Sequence, residues 1–249
     1  MRFSSRFGQG MKAAIPIWIA FVPSSLAWGI AAQAHGLKLE EVIFMSAWVY
    51  SGPAQFAVLA PLAEGKSSLQ VLVAGFLMNL RFMPMSTALA PYFHGVKRLP
   101  LLLSSHVVSA SSFIVPYLQF QKEREPAPQG PSNTQRVDGY GNLAFFLGVG
   151  ATSFFVWVAG TAVGYGVALG FPTGFEEALR FILPGYFAGL LVVEMRGWAM
   201  PLICLAALVT AIPGALASPG WGWLVTAILS ATLVWGLEEW KCRASKSSW

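Results

Sequence analysis

The chain has 249 residues, of which 55% are hydrophobic and only 11% are Asp, Glu, Lys or Arg, with a formal net charge of +5. A soluble domain carries about 25% charged residues, so a water-soluble fold of this size would lack the surface charge that keeps it dispersed. The basic residues are scattered through short loops and tails rather than gathered into a patch, which argues against nucleic-acid binding. Two cysteines, Cys204 in an apolar run and Cys242 in the basic tail, make neither a disulfide framework nor a metal-ligand set.

Runs of about 20 apolar residues, enough for a hydrocarbon core of roughly 30 Å, recur along the whole chain. They predict an all-α integral membrane protein of about eight transmembrane helices, at 12–34, 41–62, 67–92, 99–119, 141–169, 175–193, 197–217 and 220–240. None shows the period-2 alternation of a β-barrel. The first run is longer than the roughly 7–15 apolar residues of a secretory leader and reads as the first span. Several runs are broken by Gly or Pro, and one broken segment is a candidate re-entrant loop. Residues 121–139, QKEREPAPQGPSNTQRVDG, read as a flexible cytoplasmic linker between two four-helix halves of one transmembrane domain, 1–249.

With the N-terminus inside, eleven Lys and Arg flank the spans on the cytoplasmic side and four on the other, while Arg81 falls within a span. That bias places both termini and the linker in the cytoplasm. The halves echo each other: Glu40-Glu41 precede a run broken at Gly52-Pro53, and Glu176-Glu177 precede one broken at Pro184-Gly185. Transporters carry internal repeats with broken helices in corresponding places, although paired acids also suit any helix start.

Three spans hold residues that lipid-facing helices avoid. The second contains Tyr50-Ser51-Gly52-Pro53-Ala54-Gln55-Phe56. Pro removes an N–H and clashes with the preceding turn, so the freed carbonyls and Gln55 need protein or water as partners. This is either a binding-site break or a kink packed against its neighbours. The third contains Asn79-Leu80-Arg81 in mid-span. A central Arg costs roughly 2.5–3.5 kcal/mol even on insertion scales, and no carboxylate lies deep in any span to pair with it. Its fork suits an anionic ligand; the alternative is that it bonds the carbonyls of a broken helix. The fourth holds Ser104, Ser105, His106, Ser109, Ser111 and Ser112. His106 is a candidate proton relay, or a hydrogen-bonded packing residue among small side chains. Gly160, Gly164, Gly166, Pro184 and Gly185 read as packing and hinge positions.

No hydrolase elbow, Walker loop, H-E-x-x-H or acidic metal cluster occurs. The chain reads as a non-enzyme without cofactor or metal.

Over most of its length the sequence resembles the AzlC family, the large subunits of bacterial branched-chain amino acid exporters. The resemblance rests on Pro16 to Gly29, on Ser51 to Phe56, on Asn79-Leu80-Arg81 followed by Ser86 to Pro91, on Trp157 to Gly164, and on Phe181-Ile182-Leu183-Pro184 with Phe187. One departure is Ala110-Ser111, where many members carry an Asp-Glu pair. The resemblance implies an exporter of branched-chain or other apolar amino acids in the bacterial inner membrane, with a small AzlD-like partner subunit. The residues agree in type: Arg81 and exposed helix N-termini suit a carboxylate, while Gln55, Asn79 and freed carbonyls suit an ammonium group, and Ser51, Gly52 and Pro53 complete the substrate-binding candidates. A channel for a small solute is the alternative.

Overall fold

The computed structural model describes residues 3–124, 138–170, 199–217, 225–226 and 228–236, and among them every regular element is helical. In chain order these are α1 (Phe3–Ala14), α2 (Trp18–Ala34), α3 (Leu39–Trp48), α4 (Gly52–Ala63), α5 (Ser68–Asn79), α6 (Phe82–Leu89), α7 (Arg98–Ser104), α8 (Ala110–Arg124), α9 (Gly139–Leu169) and α10 (Ala199–Ala217). Short 3-10 turns continue α1, α6 and α7 at Ile15–Ile17, Ala90–Phe93 and Ser105–Val107. The sixth run, 175–193, with its Pro184-Gly185 break, lies outside the described residues, as do 125–137 of the linker. α8 runs on through Arg124, so the first four linker positions are helical.

The 31-residue helix α9 is the axis of the larger compact unit. α1 and α2 run along it as one bent element, with 69° between the Phe3–Ile17 and Phe21–Ala34 segments. Glycine makes this approach close. A Cβ on Gly29 would strike the Thr161 carbonyl, one on Gly164 the Leu26 carbonyl, and one on Gly10 the Phe145 carbonyl. Small residues at such positions let backbones touch where apolar burial gives no drive for helix association in lipid. The sequence-predicted packing role of Gly160 and Gly164 is what the structure contains, since a Cβ on Gly160 would meet Ser25 Oγ; at Gly166 there is open space.

The runs at 41–62 and 99–119, expected to cross the membrane, are each folded back on themselves. α3 opens on Lys38, whose N–H donates to Glu41 Oε2 at 2.8 Å, and stops at Trp48. Tyr50 then takes a left-handed backbone, φ +43°, and α4 starts at Gly52. Pro53 therefore sits in a first helical turn, where its missing N–H leaves no bond unmade. Gln55 Nε2 donates to Ser46 Oγ at 3.1 Å. Nine residues of straight helix would separate these positions by about 13.5 Å, so the chain has doubled back.

α7 and α8 make the second hairpin. Both of its ends lie at the N-terminal end of α9: Lys97 N–H reaches Tyr140 Oη at 3.3 Å, and Glu123 pairs with Arg6, which also feels Asp138. Its turn reaches far along α9, where a Cβ on Gly150 would lie 2.7 Å from Val107. There Val108 is extended, and Ser109 and Ser112 cap α8 reciprocally through Ser109 N to Ser112 Oγ (2.7 Å) and Ser112 N to Ser109 Oγ (3.3 Å).

By length and composition, Ser68–Phe93 and Gly139–Leu169 can each cross a membrane, and the bent α1–α2 pair is a third candidate. In the second compact unit, α10 fills the seventh expected run, and 228–236 falls within the eighth. Leu205, Leu208, Val209, Ile212 and Leu216 of α10 are exposed, an apolar face suited to lipid.

Candidate functional site

Three chain breaks are joined through their side chains: Val49–Ser51 between α3 and α4 and Val108-Ser109 between α7 and α8 come together beside the middle of α9, and from Leu80-Arg81 between α5 and α6 the Arg81 side chain reaches Ser51. The first and third breaks have causes in the local sequence. Gly52-Pro53 favours a helix start over a helix interior, and the serine-rich stretch bonds its own backbone instead of extending α7; Arg81 stands at the N-cap of α6 with no side-chain cap bond.

Arg81 Nη2 lies 3.5 Å from Ser51 Oγ, at the outer limit of a hydrogen bond, and its guanidinium carbon stands 5.1 Å from the Phe82 ring centroid. Two predicted site residues from separate spans are thereby brought together. Ser51 is 3% exposed, and its carbonyl accepts the first bond of α4, from Gln55 N at 2.9 Å. Gly52 and Pro53 form the N-terminal turn beneath it. Asn79 Oδ1 is buried with no hydrogen bond.

Two buried hydroxyls beside this point were not singled out from sequence. Tyr50 Oη lies near Ser109 and Ser153, yet neither Tyr50 Oη nor Ser153 Oγ makes a hydrogen bond. The Tyr50 ring packs on Phe154 at 5.1 Å. The only sequence signal was a tyrosine directly before Ser-Gly-Pro. A bulky residue held at positive φ costs about 1–3 kcal/mol and recurs at functional sites.

Gln55 and His106 have partners within the protein. Gln55 is fully buried; its Oε1 accepts from Trp157 Nε1 at 3.0 Å while its Nε2 donates to Ser46. Ser46 Oγ also accepts from Trp28 Nε1 at 3.0 Å and donates to Thr161 Oγ1 at 3.1 Å, which donates to the Trp157 carbonyl at 2.8 Å. This closed network ties α2, α3, α4 and α9 together. His106 Nε2 lies 2.8 Å from the Ala47 carbonyl, in the last turn of α3. A carbonyl only accepts, so Nε2 carries the proton and caps a carbonyl freed by the first break. Its ring also contacts Trp48 (6.3 Å) and Phe154 (5.9 Å).

A cavity of about 590 Å3 lies away from the breaks, between α1–α2 and α9, lined by Phe7, Met11, Trp18, Val22, Phe155 and Val163 among others. It offers shape without chemistry.

A helical membrane protein whose broken helices gather polar groups around a half-buried arginine has the build of a transport protein. The family model described as AzlC protein matches residues 16–169, and the chain belongs to the AzlC family. It is similar to the inner membrane protein YgaZ of Escherichia coli, with 27% identity over 85% of this chain and 82% of that protein. An uncharacterised membrane protein of Archaeoglobus fulgidus is 25% identical, over 78% of each chain. One from Helicobacter pylori J99 is 21% identical, over 82% of this chain and 86% of its own. No solved structure matches the chain.

Proposed function

We propose that the chain is the large subunit of an amino acid exporter, moving branched-chain or other apolar amino acids through the site where the three breaks meet. The observation that carries this reading is the pairing of Arg81 with Ser51 at the start of α4. A guanidinium beside a helix N-terminus presents donors and positive potential, which suit a carboxylate. Asn79 Oδ1, buried without a hydrogen bond, supplies an acceptor for an ammonium group. The Phe82 and Phe154 rings beside the breaks suit an apolar side chain. We place the protein in the bacterial inner membrane, N-terminus inside, and expect a small AzlD-like subunit to complete it.

The test is counterflow of labelled leucine or valine in vesicles that contain this chain with and without the small subunit. Saturable counterflow that needs both chains is the expected result. Non-saturable flux would make the protein a channel, and full activity of this chain alone would remove the partner.

A further inference from the structure

The two hairpins are related to each other, and the crossings before them are related too. Measured along α9, the α3–α4 hairpin starts at the C-terminal end, where Tyr165 Oη donates to the Leu37 carbonyl at 3.0 Å. It dips until Tyr50 meets Phe154, then returns as Gln55 bonds Trp157 and Phe56 packs on Trp28. The α7–α8 hairpin starts at the N-terminal end of α9, beside Tyr140, and dips until His106 meets Phe154. It then returns, with Phe120 packed on Tyr92 and Phe145, and Glu123 on Arg6. One residue, Phe154, thus touches both tips.

The sequence carries the same relation. Phe21, Pro23, Ser25 and Ala27 match Phe82, Pro84, Ser86 and Ala88; His35-Gly36-Leu37-Lys38 matches His94-Gly95-Val96-Lys97; Ser46, Val49 and Ser51 match Ser104, Val107 and Ser109. The offset drifts only from 61 to 58 residues. Gly36 and Gly95 both have φ +83°, and Lys38 and Lys97 both open the next helix in extended conformation, ψ 153° and 152°. Matched residues at opposite ends of α9 are what an inverted repeat produces.

We propose that residues 3–63 and 68–124 are an inverted repeat, each a membrane crossing followed by a re-entrant hairpin, and that the two hairpin tips abut at Tyr50 and Ser109 to seal the middle of the bilayer. The α3–α4 hairpin then faces one side of the membrane and α7–α8 the other, so each closes the site against its own side. Charge supports this path independently. With straight crossings, the described basic residues up to Arg124 divide five inside (Arg6, Lys12, Lys66, Lys122, Arg124) and three outside (Lys38, Lys97, Arg98). With re-entrant hairpins Lys97 and Arg98 join the inside and Lys66 leaves it, giving six to two, a stronger positive-inside bias. The helices also fit: α3, α4, α7 and α8 have 10, 12, 7 and 15 residues, each short of the roughly 20 a crossing needs.

The experiment is thiol labelling in whole cells, with the native cysteines replaced by serine and single cysteines at Ser5, Glu64 and His94. The re-entrant arrangement places Ser5→Cys and His94→Cys on one side and Glu64→Cys on the other, whichever way the chain inserts. Straight crossings place Ser5→Cys with Glu64→Cys and set His94→Cys apart; that pattern overturns the proposal. Labelling needs no substrate, so it stands or falls separately from the exporter reading. The seal has its own readout in purified vesicles. Tyr50→Ala is expected to raise proton leak severalfold while Tyr50→Phe stays tight, and folded Tyr50→Ala vesicles as tight as wild type would remove Tyr50 from the seal.

Discussion

Trp157 holds Gln55 by a 3.0 Å hydrogen bond from indole Nε1 to amide Oε1, joining α9 to the first turn of α4 across 102 positions of sequence. Gln55 therefore fixes where α4 starts. Gln55→Leu keeps the bulk but orphans the buried Trp157 N–H, at a cost of about 1–3 kcal/mol. Thermal unfolding in detergent should fall accordingly, while substrate affinity of the remaining folded protein stays near wild type. Lost affinity at unchanged stability would return Gln55 to the substrate.

Arg81 is expected to behave in the opposite way. Arg81→Lys keeps the charge but loses the planar fork. A hydrogen bond to a charged group contributes about 1.5–3 kcal/mol, so affinity should drop roughly tenfold to hundredfold with the fold intact. Arg81→Ala should abolish binding. Wild-type affinity in well-folded Arg81→Ala protein would remove Arg81 from the substrate site.

His106 separates its two sequence-predicted roles by a conservative change. Glutamine keeps an N–H donor for the Ala47 carbonyl but cannot carry protons near neutral pH. His106→Gln should retain stability and transport, whereas His106→Leu, which removes the hydrogen bond, should lose about 0.5–1.5 kcal/mol. A stable His106→Gln protein whose transport no longer responds to a proton gradient would restore the relay.

The Arg6–Glu123 pair, at 2.7 and 2.9 Å, predicts a pH dependence. The hydrogen bond from Arg6, more than any other influence, holds the Glu123 carboxyl below the usual carboxylate range. A depressed carboxylate contributes stability that is present above its unfolded pKa and lost as pH falls through the folded value. Glu123→Gln should thus cost up to about 1 kcal/mol at neutral pH, and the difference from wild type should close as pH drops below about 4. Unfolding midpoints at pH 7 and pH 3.5 measure it; an equal gap at both would exclude the ion pair as its source.

The class of protein, and the breaks at Gly52-Pro53 and Arg81, were legible because each is a local violation: a helix breaker or a charge inside an apolar run. The folding back of 41–62 and 99–119 was not. Hydropathy counts apolar residues without recording direction, so a doubled run and a straight one of equal length read alike. The partners of Gln55 were hidden for a related reason, since Ser46 and Trp157 meet it only after the hairpin closes. The expected echo between Glu40-Glu41 and Glu176-Glu177 rests on residues outside those described. A nearer echo, His35-Gly36 with His94-Gly95, stood in the same sequence, with its meaning set by the turns those glycines make.

The glycine contacts between α2 and α9 bear on what can move. Where a backbone carbonyl rests directly on a glycine, as Leu26 does on Gly164 and Thr161 on Gly29, there is no clearance for one helix to slide along the other. A shift of a single residue would drive a side chain into the opposing carbonyl. These two helices behave as a keyed joint, and Gly164→Val should jam it open and unfold the unit rather than merely slow it. Any displacement must then come from parts other than this pair, which stays still as the reference against which they turn.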